Sequence, residues 1–107
     1  MEYGNPFAGE VALVLNGQRY VLKLTLGALA ELEADLDEDS LVALVSRFES
    51  GGFRARDVAQ LLLAGLRGGG WRGNAGTLLS AEIEGGPPEA TRVAALLLGR
   101  AFALPGS

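Results

Sequence analysis

The sequence predicts an α+β domain in which an N-terminal β-hairpin is followed by a bundle of about four α-helices. Three observations lead there. Two β-type runs flank an Asn-Gly pair near the start of the chain, apolar residues then recur at helical spacing, and glycine clusters rather than long polar stretches separate the segments. With 107 residues, 49% of them apolar and 21% charged, the chain suits a single domain over 1–107, with an ordered core expected over about residues 5–104.

The hairpin comes from Glu10-Val11-Ala12-Leu13-Val14-Leu15, Asn16-Gly17 and Gln18-Arg19-Tyr20-Val21-Leu22-Lys23-Leu24. A type I′ turn needs positive φ at both central residues, which Asn-Gly supplies. Counting outward from that turn sets Leu15 against Gln18, Leu13 against Tyr20, Val11 against Leu22 and Glu10 against Lys23. Val11, Leu13, Tyr20 and Leu22 then share the core face. A two-stranded hairpin also leaves unpaired backbone groups on both outer edges, so it must dock on the helices or accept another strand.

Thr25 can cap a first helix over Leu26 to Leu36, with Leu26, Leu29, Leu32 and Leu36 expected inward. Asp39 or Ser40 can cap a second, in which Leu41, Leu44, Val45 and Phe48 follow the i, i+3, i+4, i+7 rule and Ser50-Gly51-Gly52 is the stop. A third runs from about Arg54 to Arg67, with Val58, Leu61, Leu62 and Leu66 on one side and Asp57 in its first turn, although Arg54 is a poor cap. Gly68-Gly69-Gly70 stops it. Trp71 to Gly76 reads as loop, and Thr77 to Glu84 as a short helix or an extended segment, which periodicity cannot separate. Pro87-Pro88-Glu89 opens a last helix to about Ala103, whose apolar residues sweep half its circumference.

Composition excludes several classes of function. There is no Cys and no His, so the commonest metal ligands and neutral-pH bases are missing. The formal charge of −4 argues against nucleic acid, since phosphate contacts need clustered Lys and Arg. The longest apolar runs, Leu61 to Leu66 and Val93 to Leu98, fall short of the roughly 18 residues that cross a bilayer. Glu31, Glu33, Asp35, Asp37, Glu38 and Asp39 put six acids in nine residues, and Asp35-x-Asp37-x-Asp39 copies the opening of a calcium loop, yet Ser40 stands where its sharp-turn glycine would be and Ser46 where its bidentate Glu would be. That stretch reads as a solvated acidic corner. Gly68 to Gly73 follows a helix and precedes no Lys-Ser/Thr, so it is a loop and not a phosphate cradle. No Gly-x-Ser-x-Gly elbow activates a serine. What remains is surplus apolar surface, which suits a protein that binds segments of a partner or copies of itself.

Three stretches carry a family resemblance when taken in order. They are Gly9-Glu10-Val11-Ala12-Leu13 through Leu26-Gly27-Ala28-Leu29-Ala30-Glu31-Leu32-Glu33, Arg47-Phe48-Glu49-Ser50-Gly51-Gly52-Phe53 through Arg56-Asp57-Val58, and Ile83-Glu84-Gly85-Gly86 into the last helix. Together they resemble the tail assembly chaperones of gene transfer agents and long-tailed phages, also described as a gene-transfer-agent tail protein family. The resemblance implies a non-enzymatic role without cofactor: holding the tape-measure protein, with the tail-tube protein as a further partner, in the bacterial cytoplasm until the tube polymerises. The alternative is a structural component that stays in a virion-like particle, and a homo-oligomer fits either reading. Leu63, Leu96, Leu98 and Phe102 are the expected partner contacts because they lie outside the minimal core stripe. Neither nucleic acid nor membrane is expected as a partner.

Overall fold

The computed structural model describes residues 9–36 and 40–102. Strands β1 (Val11–Leu15) and β2 (Gln18–Leu22) form the antiparallel hairpin, followed by helices α1 (Leu26–Asp35), α2 (Leu41–Ser50), α3 (Ala55–Gly68), α4 (Ala75–Leu79) and α5 (Gly86–Ala101). The α+β expectation holds, with five helices among the described residues. The register is the one counted from the turn, Val11 on Leu22, Leu13 on Tyr20 and Leu15 on Gln18. Asn16 and Gly17 both take positive φ, at 50° and 79°, as the turn requires.

Helix α3 is the hub. It packs against α1, α4, α5 and β2, and Leu61, Leu62 and Leu66 on it are buried with Leu13, Leu22, Leu32, Leu44, Val93 and Leu97. Arg54 is its N-cap without a side-chain cap of its own. Asp57 compensates: its Oδ2 accepts from the Arg54 N–H at 2.8 Å, satisfying one of the orphan donors of the first turn. Thr25 and Ser40 cap α1 and α2 through their hydroxyls. Asp39, the other candidate cap of α2, lies outside the described residues, as do Asp37 and Glu38 of the acidic stretch.

Two corrections concern α1 and the segment before α5. On α1 the buried residues are Ala28, Leu32 and Leu36, whereas Leu26 is 84% exposed. Leu26 shares helical spacing with Leu29, but the close approach of α3 selects the face centred on Ala28 and turns the first residue outward. The segment read as loop up to Gly76 is already helical from Ala75, because the Asn74 side chain accepts from the Thr77 N–H at 2.9 Å. Beyond α4 the chain is extended, and Ile83 bridges Leu15. Residues 77–84 thus supply both a helix end and a strand-like end.

That bridge, together with α3, covers the hairpin edges. On the β1 side the Asn16 N–H donates to Glu82 O at 2.8 Å, the Glu84 N–H donates to Val14 O at 3.1 Å, and the Glu82 N–H donates to Asn16 Oδ1 at 2.8 Å. On the β2 side the Lys23 N–H donates to Gly65 O at 2.9 Å. The glycine end of α3 lies so close that a Cβ on Gly68 would stand 1.9 Å from Lys23 O, and one on Gly69 2.0 Å from Val21 O. The glycines after Leu66 therefore admit the strand as well as ending the helix.

The double anchoring at Asn16 yields a prediction. Asn16→Ala should cost about 2 kcal/mol, through the lost hydrogen bond and the positive φ, while Asn16→Gly keeps the turn and should cost about half of that. Urea denaturation midpoints check the order: equal losses would show that the positive φ carries none of the effect, and an Asn16→Gly variant as stable as the wild type would show that the side-chain bond to Glu82 carries none.

Candidate partner-binding surface

Among the described residues no group of three His, Cys, Asp or Glu could hold a metal ion, no buried side-chain nitrogen or oxygen lacks a partner, and no helix is long and apolar enough to cross a membrane. The charged groups that do meet are engaged with one another. Asp57, 1% exposed, accepts from Arg47 Nε and Nη2 at 2.9 and 3.0 Å, tying the last turn of α2 to the first of α3. Phe53 in the connection stacks on Phe48 with centroids 4.8 Å apart and so staples the corner between the two helices. Burial alone would raise the Asp57 pKa, but hydrogen bonds from Arg47 and the Arg54 N–H, with the charges of both arginines, outweigh it and hold the carboxyl below its ordinary value.

A second charged cluster lines a cleft of about 270 Å³ between β1 and α5, where Arg19, Glu84, Glu89 and Arg92 surround Ala12 and Val14. Arg92 Nε and Nη2 donate to Glu89 at 2.8 and 2.6 Å, and these bonds, against partial burial, lower the Glu89 pKa. The pair closes a turn of α5 at a half-exposed site, where such a contact contributes little to stability.

The apolar surplus gathers elsewhere. Between α3 and α4 runs a cleft of about 380 Å³ lined by Ala59, Leu63, Ala75, Leu78 and Leu79, with Arg56 and Gln60 at its rim. A neighbouring cleft of about 260 Å³ reaches from the same Leu78 and Leu79 to Ile83 and Pro87. The Trp71 side chain is half-buried against the core.

Against this surface the four expected contacts divide. Leu63 lines the larger cleft, Phe102 is 46% exposed, and Leu96 is half-buried against the core. Leu98 is corrected: at 4% exposure it belongs to the core, because α5 is covered by both α3 and β1 and buries a face wider than a single stripe. A charge there would unfold the domain instead of separating folding from binding. Among the described residues the most exposed large apolar side chains are Leu26 at 84%, which spacing had placed inward, and Val42 at 78% and Leu79 at 72%, which were not among the expected contacts. Val42 was legible, since it falls outside the Leu41, Leu44, Val45, Phe48 set. Leu79 was not, because five helical residues carry no periodicity to read.

The described surface thus carries one charged cleft beside β1 and two apolar clefts around α4. The chain belongs to the family described as phage tail tube protein, GTA-gp10, which matches residues 8–104. That places it among gene transfer agent and phage tail proteins, the broader part of what the sequence resemblance implied; the family description does not specify a chaperone. No curated protein and no solved structure matches the chain.

Proposed function

We propose that this protein is a non-enzymatic structural component of a phage-like tail, retained in the finished particle and joined there to other tail proteins. The observation that carries this reading is the family match over residues 8–104, described by its place in the tail tube.

A second reading, the transient assembly chaperone that holds the tape-measure protein, is favoured by one feature of the fold. Both hairpin edges are covered at Val14–Asn16 and Val21–Lys23, which leaves little strand edge with which to continue a sheet into a neighbouring subunit. An apolar cleft beside a helix instead suits a helical segment of a partner. On that reading Leu63 and Phe102 are the contacts that remain at the surface.

Quantitative mass spectrometry of purified particles separates the two. A fixed copy number in intact tails is the expected result for the structural component. Absence from particles, with this chain co-purifying with the tape-measure protein and moving it into the soluble fraction on co-expression, is the result that replaces it with the chaperone.

A further inference from the structure

We propose that the cleft between α3 and α4 receives the outer face of α1 from a second copy of this chain, head to tail. The contact is drawn from the surface of one molecule and does not depend on whether the protein stays in the particle.

The two surfaces match in spacing, size and charge. Helix α1 turns Ala28, Leu32 and Leu36 to its own core. Its opposite side presents Leu26, Ala30 and Glu33 at i, i+4 and i+7, all exposed. Capping does not need Leu26, since the Thr25 hydroxyl already accepts from the Ala28 N–H at 3.0 Å, and a leucine 84% exposed invites cover. In the cleft, α3 presents Leu63, Ala59 and Arg56 at i, i−4 and i−7. Each row is about 10.5 Å long at a rise of about 1.5 Å per residue. Laid antiparallel, Leu26 meets Leu63, Ala30 meets Ala59 and Glu33 meets Arg56, with the small residues in the middle admitting a close crossing. Neither Glu33 nor Arg56 has an ion-pair partner among the described residues. Leu79, on α4, forms the opposite lip of the cleft.

Because the two faces are different parts of one chain, the contact is heterologous. Each copy keeps one free face after pairing, so the assembly closes into a ring or continues as a filament. The chain's own α1 cannot fill the cleft, since its core face already holds it against α3 and its outer row points away.

Light scattering on the purified chain from about 1 to 100 μM tests this, and its mass should rise with concentration. Leu26→Asp blocks one face and Leu79→Asp the other, and each should weaken self-association at least about tenfold. Mixed in equal amounts, the two variants should form a dimer and nothing larger, because each retains the surface that the other lacks. Glu33→Arg and Arg56→Glu should each weaken association about threefold, and the variant carrying both should regain it. Thermal melts confirm that each variant is folded. A wild type monomeric throughout the range, a mixture that stays monomeric, or Leu26→Asp assembling like the wild type overturns the proposal. So does a different tail protein binding the cleft while this chain remains monomeric.

Discussion

Gly68→Ala should lower the melting temperature by roughly 15 °C, the largest loss expected from adding a single carbon atom to this protein. The added methyl would stand 1.9 Å from the carbonyl oxygen of Lys23 and 3.0 Å from its carbon. Both atoms are backbone, so no rotamer change relieves the clash and α3 must draw away from β2. That separation also loosens the Lys23 to Gly65 hydrogen bond. Overpacking of this kind costs about 3 kcal/mol, a large share of the stability of a domain this size. Gly69→Ala should behave alike, since its methyl would lie 2.0 Å from Val21 O. Gly65→Ala should lose less, because its nearest neighbour, at 2.7 Å, is the tip of the Leu97 side chain. The control is Gly99→Ala on the exposed side of α5, where nothing lies within 4 Å and alanine should stabilise the helix by about 1 kcal/mol. Thermal denaturation of the four variants checks the series, and Gly68→Ala melting with the wild type would show that β2 is not held by α3.

Asp57→Ala should cost about 3 kcal/mol or more. Removing the carboxylate takes from the Arg47 guanidinium, in its largely buried site, both hydrogen bonds to Asp57, and takes from the Arg54 N–H its acceptor. Asp57→Asn keeps the shape and one acceptor and should lose less. The pair also gives the acid limb of stability a definite sign. The folded-state pKa of Asp57 lies below its ordinary value near 3.8. Its contribution is therefore complete above the unfolded pKa of about 4 and is lost as the pH falls from there through the folded value. Urea midpoints measured across that range should drop less steeply for Asp57→Asn than for the wild type. Parallel profiles would mean that other carboxylates carry the acid dependence.

Much of the fold was legible because local chemistry and global packing agree. Asn16-Gly17 fixed the turn and with it every cross-strand pair from Val11 to Leu22; Thr25 and Ser40 marked helix starts that the structure keeps. What escaped depended on contacts between distant parts of the chain. The inward face of α1 is chosen by α3, which is why spacing placed Leu26 inward and the structure turns it out. Arg54 looked like a missing cap because the compensating carboxylate comes from Asp57, itself fixed by Arg47 on another helix. Gly68 and Gly69 read only as a stop and Gly65 as part of the helix, and the arrival of β2 reveals all three as a docking strip. For the candidate surface, Leu63 and Phe102 were reachable by helical projection. Leu98 was misplaced because projection cannot show that α5 is covered from two sides.

The covered hairpin has a consequence during synthesis. Strands β1 and β2 leave the ribosome early, yet the residues that cover the β1 edge, Glu82 to Glu84, follow about sixty positions later, a delay of roughly 3–12 s at ordinary elongation rates. Throughout that interval the nascent chain carries a bare, strongly apolar strand edge, on a polysome that holds many identical chains side by side. The same acceptor and donor groups that Glu82 and Glu84 later occupy would pair with a neighbour's. Elongation past residue 84 therefore competes with edge-to-edge pairing of unfinished chains. Slowing translation between Leu24 and Ile83 with rare codons should reduce its soluble yield without altering a single amino acid.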